Sequence, residues 1–168
     1  MIILGIDPGL AAVGYGVIRT SEQGTSLLEA GMIQGGSPED PLEERLLSIY
    51  EGVSEVIREW GPDSLALEEL YSHYEHPVTA ILMGHARGVV CLAAAQHRVA
   101  VFNYPSTRVK LLLTGNGKAA KEQVQRAVQM RLRLKSLPQP DDVADALAVA
   151  LCHSLIGTPD QARMKARG

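Results

Sequence analysis

The chain opens with Ile2-Ile3-Leu4-Gly5-Ile6-Asp7-Pro8-Gly9, and the reading of this stretch sets the fold. A short isoleucine-rich apolar run reads as a buried strand, and Asp7-Pro8-Gly9 breaks it in a sharp turn. Working outward, residues 13–19 and 26–34 read as two further strands joined by a polar turn at 21–24, so the simplest arrangement is a β-meander. A carboxylate at the end of a buried strand is costly unless it is paired, protonated or bound to a cation. Asp7 therefore marks the first place where chemistry is expected.

Helical signals begin after the meander. Asp40-Pro41-Leu42-Glu43 reads as a helix start, with Asp40 as N-cap and Pro41 in the first position. Leu42, Leu46, Ile49, Val53, Val56 and Trp60 follow at helical spacing until Gly61-Pro62. Residues 64–69 read as a buried strand, 77–97 as a helix apolar nearly all round, and 98–103 as a fifth strand. Such a helix needs cover on most sides, either inside the fold or at a dimer interface, and the sequence favours neither. Residues 106–113 and 119–132 form a basic helical pair around the turn Thr114-Gly115-Asn116-Gly117, and a last helix spans 141–156. The order β-β-β-α-β-α-β-α predicts a mixed α/β sheet of five strands flanked by helices. Residues 1–156 read as a single domain, and 157–168 as a flexible polar tail.

Asp7 has counterparts. Glu68 closes Leu65-Ala66-Leu67, next to Glu69, and Asp142 and Asp145 interrupt the apolar stretch from Val143 to Leu151. The Asp142/Asp145 spacing puts both carboxylates on one face of the first turns of a helix. Asp141 and Asp142 also suit the positive end of a helix, so either can serve as a cap. Asp145 is harder to assign that way, because its neighbours are apolar. Acids from three separate segments suggest a site of hard oxygen ligands suited to Mg2+ or Mn2+. The segments converge if strands one and four are neighbours and the last helix crosses their ends.

Charge is strongly polarised although the total is only -3. Between residues 108 and 135 stand Arg108, Lys110, Lys118, Lys121, Arg126, Arg131, Arg133 and Lys135, opposed by Glu122 alone. Residues 39–69 are as strongly acidic, mostly on the outer face of the first long helix. One basic face can attract a polyanion despite an acidic total. Acidic residues that share two divalent ions can align a water and stabilise a leaving oxygen in phosphodiester cleavage, so the pattern points to a nuclease.

Other signals are weaker. Gly115-Asn116-Gly117-Lys118 lacks the upstream glycine and following Ser/Thr of a phosphate loop. His73 and His76 fall in a loop, and His85, His97 and His153 are scattered. Cys91 and Cys152 lie in apolar helical patterns without metal-site spacing and read as buried thiols of a reducing compartment. No apolar run approaches the roughly 18 residues of a membrane span, which leaves the cytoplasm as the expected location and no membrane partner. Tyr71 is placed to stack on an unpaired base, and Lys110, Lys118 and Lys121 flank a glycine turn suited to gripping phosphates. An actin-like nucleotide phosphohydrolase also starts with an acidic turn after a strand, but it needs two such lobes. A non-catalytic nucleic-acid-binding module would use the basic helices alone.

Taken together, these residues resemble one family. Ile2-Ile3-Leu4-Gly5-Ile6-Asp7-Pro8-Gly9 with Gly14-Tyr15-Gly16-Val17, then Ala66-Leu67-Glu68-Glu69-Leu70-Tyr71, is similar to the RuvC family of bacterial crossover (Holliday) junction endodeoxyribonucleases. Gly84-His85-Ala86-Arg87-Gly88, Gly115-Asn116-Gly117-Lys118-Ala119-Ala120-Lys121 and Asp142-Val143-Ala144-Asp145-Ala146-Leu147-Ala148 follow in the family's order and spacing. The resemblance covers about residues 2–156. It implies a ribonuclease H-like fold and a homodimer that nicks opposed strands of a four-way DNA junction, leaving 5′-phosphate and 3′-hydroxyl ends. It also implies Mg2+ or Mn2+, two ions per site, held by the catalytic acids Asp7, Glu68, Asp142 and Asp145. Glu68 rather than Glu69 is chosen by the family motif alone. Tyr71 takes the place of the junction-disrupting aromatic, and Arg87, Lys110, Lys118 and Lys121 are the expected DNA contacts. The family works beside the RuvA and RuvB branch-migration proteins, which are the expected partners.

Overall fold

A computed structural model describes residues 1–69 and 77–157. Its elements are β1 (Ile2–Asp7), β2 (Ala12–Ser21), β3 (Gly24–Gln34), α1 (Leu42–Trp60), β4 (Ser64–Glu68), α2 (Pro77–Gln96), β5 (Ala100–Tyr104), α3 (Ser106–Thr114), α4 (Lys121–Leu132) and α5 (Asp141–Ile156). The strands form one sheet in the order β3-β2-β1-β4-β5. β1, β2 and β3 run antiparallel, as a meander, and β1, β4 and β5 run parallel. Asp63 pins the entry to β4: its Oδ2 accepts the Ile2 amide at 2.6 Å.

Strand alternation divides the core into two layers. Leu4, Ile6, Leu65 and Leu67 face the side covered by α1 and α2. Ile3 and Ala66 face α3, α4 and α5. The same period puts Asp7 with Ile3, and Glu68 with Ala66, so both acids end on the α5 side. Glycine brings α5 this close. A Cβ at Gly5 would overlap the Ala146 carbonyl, and one at Gly14 the Asp142 carbonyl, so the helix lies flush on β1 and β2. Gly14 is also the register partner of Asp7, which sets the start of α5 directly beside it.

Three expectations need correction. Asp40 does not cap α1: Pro41 takes the cap position, and Asp40 Oδ2 accepts the Ser37 amide at 2.6 Å within the preceding turn. Asp and Ser side chains compete for local backbone amides in this way, and a tight turn offered the closer one. α2 is not wholly internal, the first of the two alternatives the sequence left open. Ala86, Val90, Ala93 and Ala94 are buried, while Val78, Ile81 and Leu92 are 69%, 60% and 53% exposed. Counting uninterrupted apolar runs also missed that Val78–Gln96, with a mean hydropathy of 1.6, is long and apolar enough to cross a membrane by length and composition. His85 and Arg87 interrupt the run but leave its mean hydropathy high. One face of α2 packs on α1.

Behind the sheet, His153 of α5 is buried, as a structural histidine should be. Its ring shares hydrogen bonds with Ser64 Oγ (2.9 Å) and the Tyr104 hydroxyl (2.6 Å), tying α5 to β4 and β5. Burial pushes its pKa down. Cys152 is buried and free, and Cys91 is partly buried and free.

Candidate active site

Ile6 pairs with Leu67, so Asp7 and Glu68 lie side by side one step further along β1 and β4. Both strands run parallel, and ligand sites of such sheets collect at the carboxyl ends. The first turns of α5 bring Asp142 and Asp145 over this edge. The four acids predicted from sequence therefore share one neighbourhood, and the charges register it. Asp7 is pushed up to about 7, first by burial and then by Asp145, Asp142 and Glu68, against a smaller opposing pull from Lys121. Burial and the charge of Asp145 push Glu68 up as well, while Lys110 and Lys121 pull it down. Glu69 turns outward and is exposed, which separates it from Glu68 as strand alternation requires.

Facing the acids is a cleft of about 240 Å³ lined by Glu68, Ser106, Val109, Lys110, Lys121, Val124, Asp145 and Ala148. Lys121 sits at its rim, with Nζ 3.0 Å from Asp145 Oδ2 and 3.2 Å from Asp141 Oδ2. Burial opposes its charge, but the two carboxylates outweigh burial and its pKa rises. Two of the expected phosphate contacts, Lys110 and Lys121, thus line the same cleft as the acids. Lys118 does not. It is exposed in the glycine turn, where its amide donates to Asn116 Oδ1 at 2.9 Å. Tyr71 lies outside the described residues, as do His73 and His76.

Arg87 is engaged within the protein. One terminal nitrogen donates to the Glu68 carbonyl and the other to Asn103 Oδ1, so the guanidinium joins α2 to the ends of β4 and β5. Sequence reading placed Arg87 among DNA contacts and missed this role, as it missed Asn103. Asp141 was one of two residues read as able to cap the helix. It makes no cap hydrogen bond and turns to Lys121 and Gln125 instead. The available signal was Pro140, which leaves the helix start without a polar cap residue and Asp141 free to face α4.

The donor set suits a hard divalent cation. Asp7, whose pKa is raised to about 7 by burial and then by neighbouring carboxylates, gains from any cation placed among them. The Lys121 ammonium already stands against Asp145 as a cation does. Among the described residues no three His, Cys, Asp or Glu side chains are already gathered as a metal site.

The family model for crossover junction endodeoxyribonuclease RuvC matches residues 3–153. The chain belongs to the RuvC family of crossover junction endodeoxyribonucleases. RuvC of Rhodopirellula baltica is 55% identical over 162 residues, which cover 95% of this chain and 90% of that protein. RuvC of Alkaliphilus oremlandii is 46% identical over 157 residues, 94% of each. The solved structure of Thermus thermophilus RuvC in complex with Holliday junction substrate superposes with a TM-score of 0.88 at 37% identity, covering 98% of this chain and 96% of that one. As in RuvC structures, the five-stranded mixed sheet flanked by helices is a ribonuclease H-like fold.

Proposed function

We propose that this RuvC-family chain resolves four-way (Holliday) DNA junctions by divalent-metal-dependent phosphodiester hydrolysis, with two copies making symmetric nicks during recombination and repair. The observation that carries this reading is the convergence of Asp7, Glu68, Asp142 and Asp145 beside the lysine-lined cleft. Support for the substrate comes from the T. thermophilus relative solved with a Holliday junction.

In this reading Asp7, Glu68, Asp142 and Asp145 hold two Mg2+ or Mn2+ ions. Such ions, when bound, activate water and offset charge on a phosphate. The chain's own groups do the rest. Asp142 orients the attacking water, while Lys110 and Lys121 hold the non-bridging phosphate oxygens and balance their charge. The water oxygen bonds to phosphorus, the bond from phosphorus to the 3′ oxygen breaks, and that oxygen takes up a proton. The products are 5′-phosphate and 3′-hydroxyl ends. Lys118 contacts backbone phosphate further out, and Tyr71 stacks on a base at the crossover. Arg87 acts from behind the site, by fixing the end of β4, rather than on DNA.

The exposed face of α2 is the surface for the second copy. Leu46, Ile81, Gly84, His85, Gly88, Val89 and Leu92 line an apolar groove of about 460 Å³ there. A twofold axis through it gives two sites for two opposed strands. Residues 1–156 form the working unit, acting in the cytoplasm with RuvA and RuvB as partners. The test maps nicks on a mobile four-way junction and a linear duplex, with and without Mg2+ or Mn2+. Paired, metal-dependent nicks confined to the junction are expected, and equal cutting of linear duplex would refute the reading.

A further inference from the structure

Lys121 has two carboxylate partners, and they are not equivalent. Asp145 belongs to the acidic cluster around Asp7 and Glu68. Asp141 is outside that cluster and is braced from behind: its Oδ1 accepts the Gln125 side-chain amide at 2.9 Å, while Oδ2 faces Lys121 at 3.2 Å. Gln125 is 8% exposed and stands one helical turn beyond Lys121 on α4, so the brace is a buried group on the same helix as the lysine. Gln123 fixes the start of that helix by accepting the Ala120 amide at 2.9 Å. The lysine's backbone and its outer partner are thereby set by one local network.

We infer that Asp141, braced by Gln125, is a positioning residue that retains the Lys121 ammonium beside the site when a divalent cation takes over Asp145. The inference rests on the metal-dependent reading above. A cation on Asp145 repels the ammonium from that carboxylate. Without a second partner, a lysine that is 49% exposed moves into water and is lost to the substrate phosphate. With Asp141 in place it shifts by one contact and stays. Asp141 touches neither substrate nor reacting atoms, and it works through Lys121.

Acylation of Lys121 by an amine-reactive ester, read by peptide mass spectrometry on the full chain with and without Mn2+, tests this. The reagent takes the neutral amine, so an ammonium held by a carboxylate reacts slowly. Wild-type protein should change its Lys121 rate by less than about twofold on adding Mn2+, whereas Asp141→Asn should become about fivefold more reactive, the scale of one exposed ion pair. Gln125→Leu should move the same way to a smaller degree. Calorimetric titration with Mn2+ separates the failures. A flat response in Asp141→Asn that still binds Mn2+ overturns the positioning role and leaves the metal reading standing. Binding lost in that variant alone makes Asp141 a determinant of metal binding itself and also overturns the role. Wild-type protein that binds no Mn2+ overturns both readings.

Discussion

Asp7 and Glu68 end adjacent parallel strands, one residue beyond the paired Ile6 and Leu67, and both face α5. Neither position is chosen for stability. Burial, and then the three neighbouring carboxylates, raise the pKa of Asp7 from an ordinary 3.8 to about 7. The fold carries this penalty at the place where the proposed chemistry needs concentrated negative charge.

Asp7→Asn should therefore make the metal-free protein more stable. The sign follows from linkage: a carboxyl whose folded pKa is raised costs nothing below its unfolded value and costs progressively more as pH rises toward 7. At pH 8 the neutral amide removes a penalty on the order of a few kcal/mol. Denaturant melts of both proteins at pH 8 and pH 4 check this, and the gap should shrink toward zero at the lower pH.

The same shift couples metal binding to pH. Mn2+ titrations should show affinity rising with pH up to about 7 and levelling off above it, because Asp7 must lose its proton to serve as a ligand. In Asp7→Asn that rise should be much weaker.

Arg87→Met should lower the cleavage rate by roughly tenfold or more while changing junction affinity by less than about threefold. The guanidinium holds the Glu68 carbonyl and Asn103, and small displacements of a positioned group are costly to catalysis. A loss of affinity as large as the loss of rate would return Arg87 to the DNA contacts expected from sequence.

Ile81→Glu places a charge on the most exposed stretch of α2 and should halve the mass measured by light scattering at micromolar concentration. Uncoupled single nicks should replace paired ones. An unchanged dimer would move the interface elsewhere.

His153 supplies a separate check on the core. Its pKa is lowered by burial, so it favours the neutral ring. Stability from that group is complete above the unfolded value of about 6.5 and is lost as pH falls below it. His153→Leu should cost about 1–3 kcal/mol for each of Ser64 and Tyr104 left unpaired. Its stability should also fall less than that of wild type between pH 7.5 and 5.5.

Much of this was legible in the chain, because the informative residues violate simple burial rules. Asp7, Glu68 and Asp145 stand out since apolar strands and helices rarely end or break on a carboxylate, and the start and end of α5 follow from Pro140 and Gly157. Sheet order was not legible: nothing local says that β4 lies beside β1, since that pairing depends on a crossover through α1. The glycines were readable only afterwards. Gly5 and Gly14 look like weak points in strands until a helix is seen resting on them. The internal partners of Arg87 and Asp141 were not legible either, because sequence shows charge without showing the partner that holds it.

The most direct test of the central claim compares wild-type protein with Asp7→Asn on a four-way junction in Mg2+ or Mn2+, measuring binding by gel shift and cutting by denaturing gel. The account predicts that the variant binds the junction with near-wild-type affinity, by its unaltered basic residues, and leaves it uncut. Cleavage at the wild-type rate would contradict it.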